Sequence, residues 1–435
     1  MFGLNTIARK LPLMLIASAA VVSLGVGVGS YMIGSQMVGE LTQNSLSALA
    51  YERARQVQDF VASVKKDLGT TASSQSTNQA IRDFSNAWLQ LKGDAPEVLQ
   101  KAFVTDNPNP PGEKLLFDKG PAEITYSVSH AKYNPGFRQQ LLSNGYSDIY
   151  LIGADGNIAY SVTKNSDYTA NVTTEGSPLA ASGLGKLFAE AAGRTEAGGP
   201  VVFVDFAPYP VDGSISAFVG QPIFNVGTGR FLGVIAFRFL PTMLGSVVTD
   251  RTGLGETGEV LIVGPDKLLR VDSAFDEENN ILQTALDAPT IDAALAGTAS
   301  RGFMSNYRGM QMLVAAAPVK DTAGWAVTAL MATGEAFAPI DTLRNTMLGV
   351  GAALLAIAAA LGLLFSRSVT RPITSLTGTM KALAEGNLEA EIKGAKRSDE
   401  IGEMARTVEV FRENALKITS MTDEERAASE QRRIE

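Results

Sequence analysis

Two membrane-length apolar runs frame this chain, Leu13 to Gly34 and Met347 to Phe365, each near the ~20 residues a helix needs to cross a hydrocarbon layer ~30 Å thick. Arg9 and Lys10 precede the first run, and Arg367 and Arg371 follow the second. That bias of positive charge puts both chain ends in the cytoplasm and the long middle segment outside. The first run is too long for the h-region of a cleaved signal peptide, and its Ala-Ser-Ala-Ala at 17–20 lies inside the run. Gly25 and Gly29 form a GxxxG pair that would allow close helix approach, although glycine is common in spanning helices in any case.

Beyond the first run the period is helical. Ala50, Ala54, Val57, Val61, Val64 and Leu68 recur alternately four and three apart, which predicts one long helix from Ser35 to about Leu68. The polar stretch at 69–79 is read as an interruption. A second helix follows over Ala80–Leu91, with Phe84, Trp88 and Leu91 on one face, and a proline-rich loop at 105–114 closes this part.

After Tyr146 the period changes to that of strands. The segment 146–162 reads as a hairpin around Ala-Asp-Gly-Asn, since Asp-Gly accepts the positive φ of a tight turn. A helix is expected over Pro178–Ala192, then strands over 200–209, 214–224 and 229–239. The unit recurs in shorter form: a connector at 241–249, a hairpin at 259–273, a helix at 290–296, and strands over 301–319 and 324–333. A repeated α+β unit is the economical account.

Inside the second run, Pro372 is placed to start a helix, with Ile373, Leu376, Met380 and Leu383 in its stripe. Gly386 lies in the break that ends it, and Ile392 falls in the connector. A second helix opens at Asp399-Glu400-Ile401-Gly402, where Ser398 or Asp399 can cap it. Its seam is Ile401, Met404, Val408, Phe411, Ala415 and Ile418. Neither helix can bury its stripe alone, so two chains are expected to pair in a parallel four-helix bundle. From 421 the chain is polar all round.

Composition removes several function classes. The net charge of -8 offers no basic face for phosphates, so no nucleic acid partner is expected. The absence of cysteine removes disulfides, thiolate catalysis and Cys-based zinc sites. A single histidine, His130, cannot staff a catalytic set; it is read as a partly exposed structural residue. The glycines of 252–258 and 264–269 lack the context of a phosphate loop and read as turns. No enzyme activity, metal or cofactor is expected.

The middle segment resembles the double Cache (tandem PAS-like) sensor of bacterial chemoreceptors, carried by "HAKYNPGFRQQL" (130–141), "GYSDIYLIGADGNIAYSVTK" (145–164), "SGLGKLF" (182–188) and "TGLGETGEVLIVG" (252–264). The segment after the second run resembles a HAMP domain: Pro372 matches the proline of its first helix, Gly386 the connector glycine, and Asp399-Glu400-Ile401-Gly402 the acidic opening of the second. The resemblance implies a methyl-accepting chemotaxis protein lacking the signalling tip. Its fold class is a membrane α+β protein with a cytoplasmic N-terminus (1–12), first span (13–34) and helical stalk region (35–145). A membrane-distal unit (146–240), a membrane-proximal unit (241–342), a second span (346–366), HAMP (367–420) and a polar linker (421–435) follow.

A ligand pocket is expected in the distal unit, where small polar ligands need an aromatic wall and a few charged or amide groups. Candidates are Tyr150, Tyr160, Asp205, Tyr209, Phe218 and Gln221, with Asp205 and the tyrosines able to hold a cationic group. The alternative is that Tyr150, Tyr160 and Phe218 are sheet core and Asp205 a strand-edge residue. In the proximal unit Arg270 and Asp272 lie two apart, hence on one strand face, as a surface pair or an anion site. The expected function is a homodimeric inner-membrane chemotaxis receptor for a small-molecule ligand, passing its signal to a cytoplasmic signalling module or kinase complex. The alternatives are the sensor part of a histidine kinase or nucleotide cyclase, and a membrane-anchored binding protein without output.

Overall fold

The computed structural model describes residues 7–195, 198–276 and 279–431. The first six residues of the N-terminal segment and the last four residues of the polar linker lie outside them. The chain divides into two compact units, one of residues 39–337 and one of residues 1–38 with 338–435.

The unit of residues 39–337 is organised along a helix, Ile7–Ser73, that continues on from the first apolar run. Ala50, Ala54, Val57, Val61, Val64 and Leu68 are all buried in its core, as their spacing predicts. Each buried valine or leucine of such a stripe contributes roughly 1.5–3 kcal/mol. The interruption expected over 69–79 shrinks to a single residue, Ser74, whose side chain caps the next helix, Gln75–Gln90, by accepting from Thr77 N. The hydroxyls of Thr70, Thr71 and Ser73 donate to carbonyls four residues back, so this polar run stays helical. A third helix, Tyr126–Asn144, ends at Gly145 in the left-handed region. Asp67 of the long helix ties the two together, accepting from Gln140 Nε2, Asn144 Nδ2 and the Tyr146 hydroxyl.

The first sheet comprises β1 (Asp148–Gly153), β2 (Ile158–Ser161), β3 (Val202–Pro208), β4 (Ile215–Phe224) and β5 (Phe231–Phe239), in the antiparallel order β2-β1-β5-β4-β3. Gly156 takes the positive φ of the β1–β2 turn. One face packs on the long helices; the other carries the Gly183–Ala192 helix. That approach is close at Gly220, where a side chain would strike Leu187.

The second sheet, β6 (Glu259–Val263), β7 (Ser300–Tyr307), β8 (Met310–Pro318) and β9 (Ala326–Ala332), has the order β6-β9-β8-β7. This repeats the order β1-β5-β4-β3, so the two units share one topology. The hairpin expected over 259–273 needs correcting: its second arm makes only isolated bridges, Val263 with Leu269 and Leu268 with Ala285. Arg270 N still donates to the Ile262 carbonyl of β6, but its side chain reaches Asp205, Asp266 and the Leu268 carbonyl, and neither Arg270 nor Asp272 lies in a strand. Arg270 and Asp272 therefore share no strand face; Asp272 accepts from Asn280 N. The first strand of each repeat opens on a buried carboxylate that pins the following loop. Asp148 accepts from Ser161, Val162 and Thr163, and Glu259 from Ser273, Ala274 and Tyr307.

In the other unit, Ala338–Phe365 is helical and runs through a π segment, Ser366–Thr370, into Arg371–Ala384. Glu400–Gln431 is the last helix. Two helices are thus long and apolar enough to cross a membrane.

Candidate functional site

The most unusual electrostatics of the first sheet sit on the face that carries the Gly183–Ala192 helix. There the loop after β2 brings Asp167 beneath two strands. Its carboxylate is 3% exposed. Oδ2 accepts from the Tyr209 hydroxyl at 2.6 Å and the Tyr150 hydroxyl at 3.0 Å. Oδ1 is buried with no partner among the described residues. Burial, reinforced by the nearby Asp148 charge, pushes this carboxyl up to about 6 against the pull of the two hydroxyls. Arg238 stacks its guanidinium 4.4 Å over the Tyr209 ring, donates from Nε to Ser216, and is neutralised by Asp212. Phe218 packs against Tyr209 and against Gly183, where a side chain would collide with its ring.

Of the six candidate residues, the structure brings Tyr150, Tyr209 and Phe218 together here. Tyr160 lies on the opposite face, stacked on Phe84 and donating to Asn134 Oδ1. Gln221 also points away, its Nε2 bonded to the Gly199 carbonyl. Asp205 is the centre of a clasp between the two repeats: it accepts from Arg270 and, at 2.8 Å, from the Trp325 indole, which stacks on Phe206.

The same loop is anchored on its other side by Lys164, which is not among the candidate site residues. Its Nζ is buried, donating to Asn134 Oδ1 and the Val162 carbonyl at 2.9 Å each. Burial lowers it to about 7 although Asp148 and Asp118 oppose the shift. His130 is fully buried rather than partly exposed. It donates from Nδ1 to the Asp118 carbonyl and packs on Phe103, and burial, then the Lys164 charge, holds it well below the usual imidazole range.

The segment after the second apolar run has its own geometry. Pro372 sits in the first turn of Arg371–Ala384, as expected, and that helix follows directly on the π segment. Proline has no N–H to give to the carbonyl four residues back and crowds it, which a wide turn relieves. That carbonyl belongs to Ser368, and Arg397 Nη2 donates to it at 2.9 Å. Arg397 also grips Asp399, whose carboxyl drops to about 2, chiefly through that bond. Asp399 Oδ1 in turn accepts from Gly402 N and caps the last helix, which Glu400 opens. Gly386 has φ +92°, a conformation that favours glycine. Ile401, Ala405 and Leu376 pack together with Ile392 of the connector. Met404, Phe411, Ile373 and Met380 are left exposed along an apolar groove between the two helices.

The architecture is that of a two-span membrane protein with a tandem α+β unit and a helix–connector–helix segment after its second span. Residues 364–417 match the HAMP domain family. The chain is a homologue of a probable chemoreceptor, y4sI, of Sinorhizobium fredii, 27% identical over 317 residues that cover 71% of this chain and 39% of that protein. It thus spans about two-fifths of that relative's length. Among solved structures it is similar to the ligand-binding domain of Pseudomonas fluorescens chemoreceptor CtaA in complex with L-isoleucine, at 13% identity and TM-score 0.39, covering 70% of this chain and 97% of that one. It is likewise similar to the ligand-binding domain of Campylobacter jejuni Tlp3 in complex with 4-methylisoleucine, at 12% identity and TM-score 0.40, covering 69% and 94%.

Proposed function

We propose that this chain is a non-enzymatic transmembrane chemotaxis receptor of the inner membrane, with both termini in the cytoplasm and a double Cache sensor outside. The distal unit binds a small ligand carrying a cationic group. The observation that carries this reading is Asp167: a buried carboxylate with one oxygen unpartnered, two tyrosine hydroxyls on the other, and aromatic rings beside it. An ammonium group would satisfy that oxygen and favour the ionised carboxylate. Its loop bears Lys164 three residues away, so occupancy bears on the packing of the Tyr126–Asn144 helix as well. The ligand favours one of two sensor packings, the second span carries the bias inward, and the HAMP segment of a homodimer answers with a changed bundle for a cytoplasmic signalling module or kinase complex. The apolar groove lined by Met404 and Phe411 supports pairing with a second copy. The chemoreceptor relative supports chemotaxis over a kinase or cyclase output.

A thermal-shift screen of the full chain in lipid nanodiscs, using amines, amino acids and organic acids, tests this reading. Ligand at a hundred times Kd stabilises the fold by about 2.7 kcal/mol. Compounds bearing an ammonium group are expected to raise the melting temperature of the wild type and not of D167N, with affinity growing as pH rises through about 6, where Asp167 ionises. Equal responses in both proteins would remove Asp167 from the site.

A further inference from the structure

We propose a second ligand site on the other side of the first sheet, a cleft that takes a small carboxylate with an aromatic or branched apolar body. It is independent of the Asp167 reading, since it lies on the opposite face and carries the opposite charge. A cavity of about 510 Å³ opens between the Gln75–Gln90 helix and the end of the sheet where β1 turns into β2 and β5 begins. That volume lies in the range of small-molecule sites, which are mostly apolar with a few placed polar groups. Trp88, Leu89 and Leu232 supply the apolar lining, and Leu89 is 73% exposed.

Arg82 lines the cleft from the helix and Arg230 from the turn just before β5. Neither guanidinium pairs with a carboxylate among the described residues. Arg82 uses only Nε, which donates to the Asn78 carbonyl, and so keeps its two Nη groups for a ligand. The carboxylate in the lining, Asp155, is engaged within its own turn, accepting from Asn157 N and Nδ2. Two uncommitted guanidiniums facing one locally satisfied carboxylate select an anion, and the fork of arginine donors matches a carboxylate. The indole and leucine walls then select an apolar body over a small hydrated ion.

Trp88 makes the site observable. The other tryptophan, Trp325, is buried against Phe206 in the Asp205 clasp. Fluorescence titration of the full chain in nanodiscs with benzoate is expected to give saturable quenching that is lost in W88F. Benzyl alcohol and inorganic phosphate should each bind at least about tenfold more weakly, and R82A and R230A should each weaken benzoate about tenfold, equal to ~1.4 kcal/mol. Should an alanine variant lose the native urea midpoint, R82Q and R230Q carry the test. D167N should bind benzoate as the wild type does, which separates failure here from failure of the Asp167 site. The proposal is overturned if benzyl alcohol or phosphate matches benzoate, if folded arginine variants keep wild-type affinity, or if quenching survives in W88F.

Discussion

Replacing Lys164 with methionine should flatten the alkaline branch of the stability profile. In the native protein this amine is buried among Asn134, Tyr160 and the Val162 carbonyl, with Asp148, Asp118, Arg138 and His130 as its charged or titratable surroundings. Burial lowers it to about 7 from an ordinary value of 10.5. Between those two values the unfolded chain holds a proton that the native state has released, so stability rises with pH across that window and falls as pH drops toward 7. Working the linkage between pH 7 and pH 9 gives a gain of about 2 kcal/mol from this one group, allowing for half-protonation at pH 7. Methionine keeps the volume and cannot titrate; Asn134 Oδ1 retains the Tyr160 hydroxyl. Urea denaturation of the full chain in nanodiscs, followed by tryptophan fluorescence, reads the unit of residues 39–337, because Trp88 and Trp325 both lie in it. The wild type should gain about 2 kcal/mol more than K164M between the two pH values. Parallel profiles would refute the assignment of a buried, near-neutral lysine.

Asp205→Ala removes the acceptor shared by Arg270 and the Trp325 indole across the two repeats. Leaving a guanidinium that is 3% exposed with Asp266 alone should cost roughly 2–4 kcal/mol. The urea midpoint should fall and Trp325 emission should shift; an unchanged midpoint would reduce the clasp to a surface contact. Arg397→Met leaves the Ser368 carbonyl, already deprived of a donor by Pro372, without its substitute. Limited proteolysis should then cut the 385–399 connector faster while the sensor's urea midpoint stays put. Equal cutting rates would show that Arg397 does not hold the connector.

What could be read in the sequence was what repeats. The four-three stripe from Ala50 to Leu68 and the seam residues Ile401 and Val408 report burial on one face of a regular element, and the strand period located β1 to β5, most of which are buried on both faces. Asp167 and Lys164 were not readable because their loop has no period. Lys164 and Thr169 adopt positive φ there, and only the folded sheet brings Tyr150 and Tyr209 onto the same carboxylate. Asp205 looked like a ligand group because its partners, Arg270 and Trp325, lie 65 and 120 residues away. The Ser/Thr run at 69–79 looked like a break since hydroxyls favour caps, yet back-bonding within the helix absorbed them. Arg397 gave no signal at all; its role follows from the carbonyl that Pro372 leaves unserved.

The measurement closest to the central claim joins the two ends of the proposed receptor. The chain has no native cysteine, so a single cysteine at Phe411, exposed on the seam, reports pairing of two copies without background. In native membrane vesicles, F411C should form a disulfide-linked dimer, and a ligand from the thermal-shift screen should change its rate of formation. D167N should keep the basal rate and lose the ligand's effect. A bound ligand that leaves the wild-type rate unchanged, or a failure of F411C to cross-link, would contradict transmission from Asp167 to a dimeric HAMP bundle.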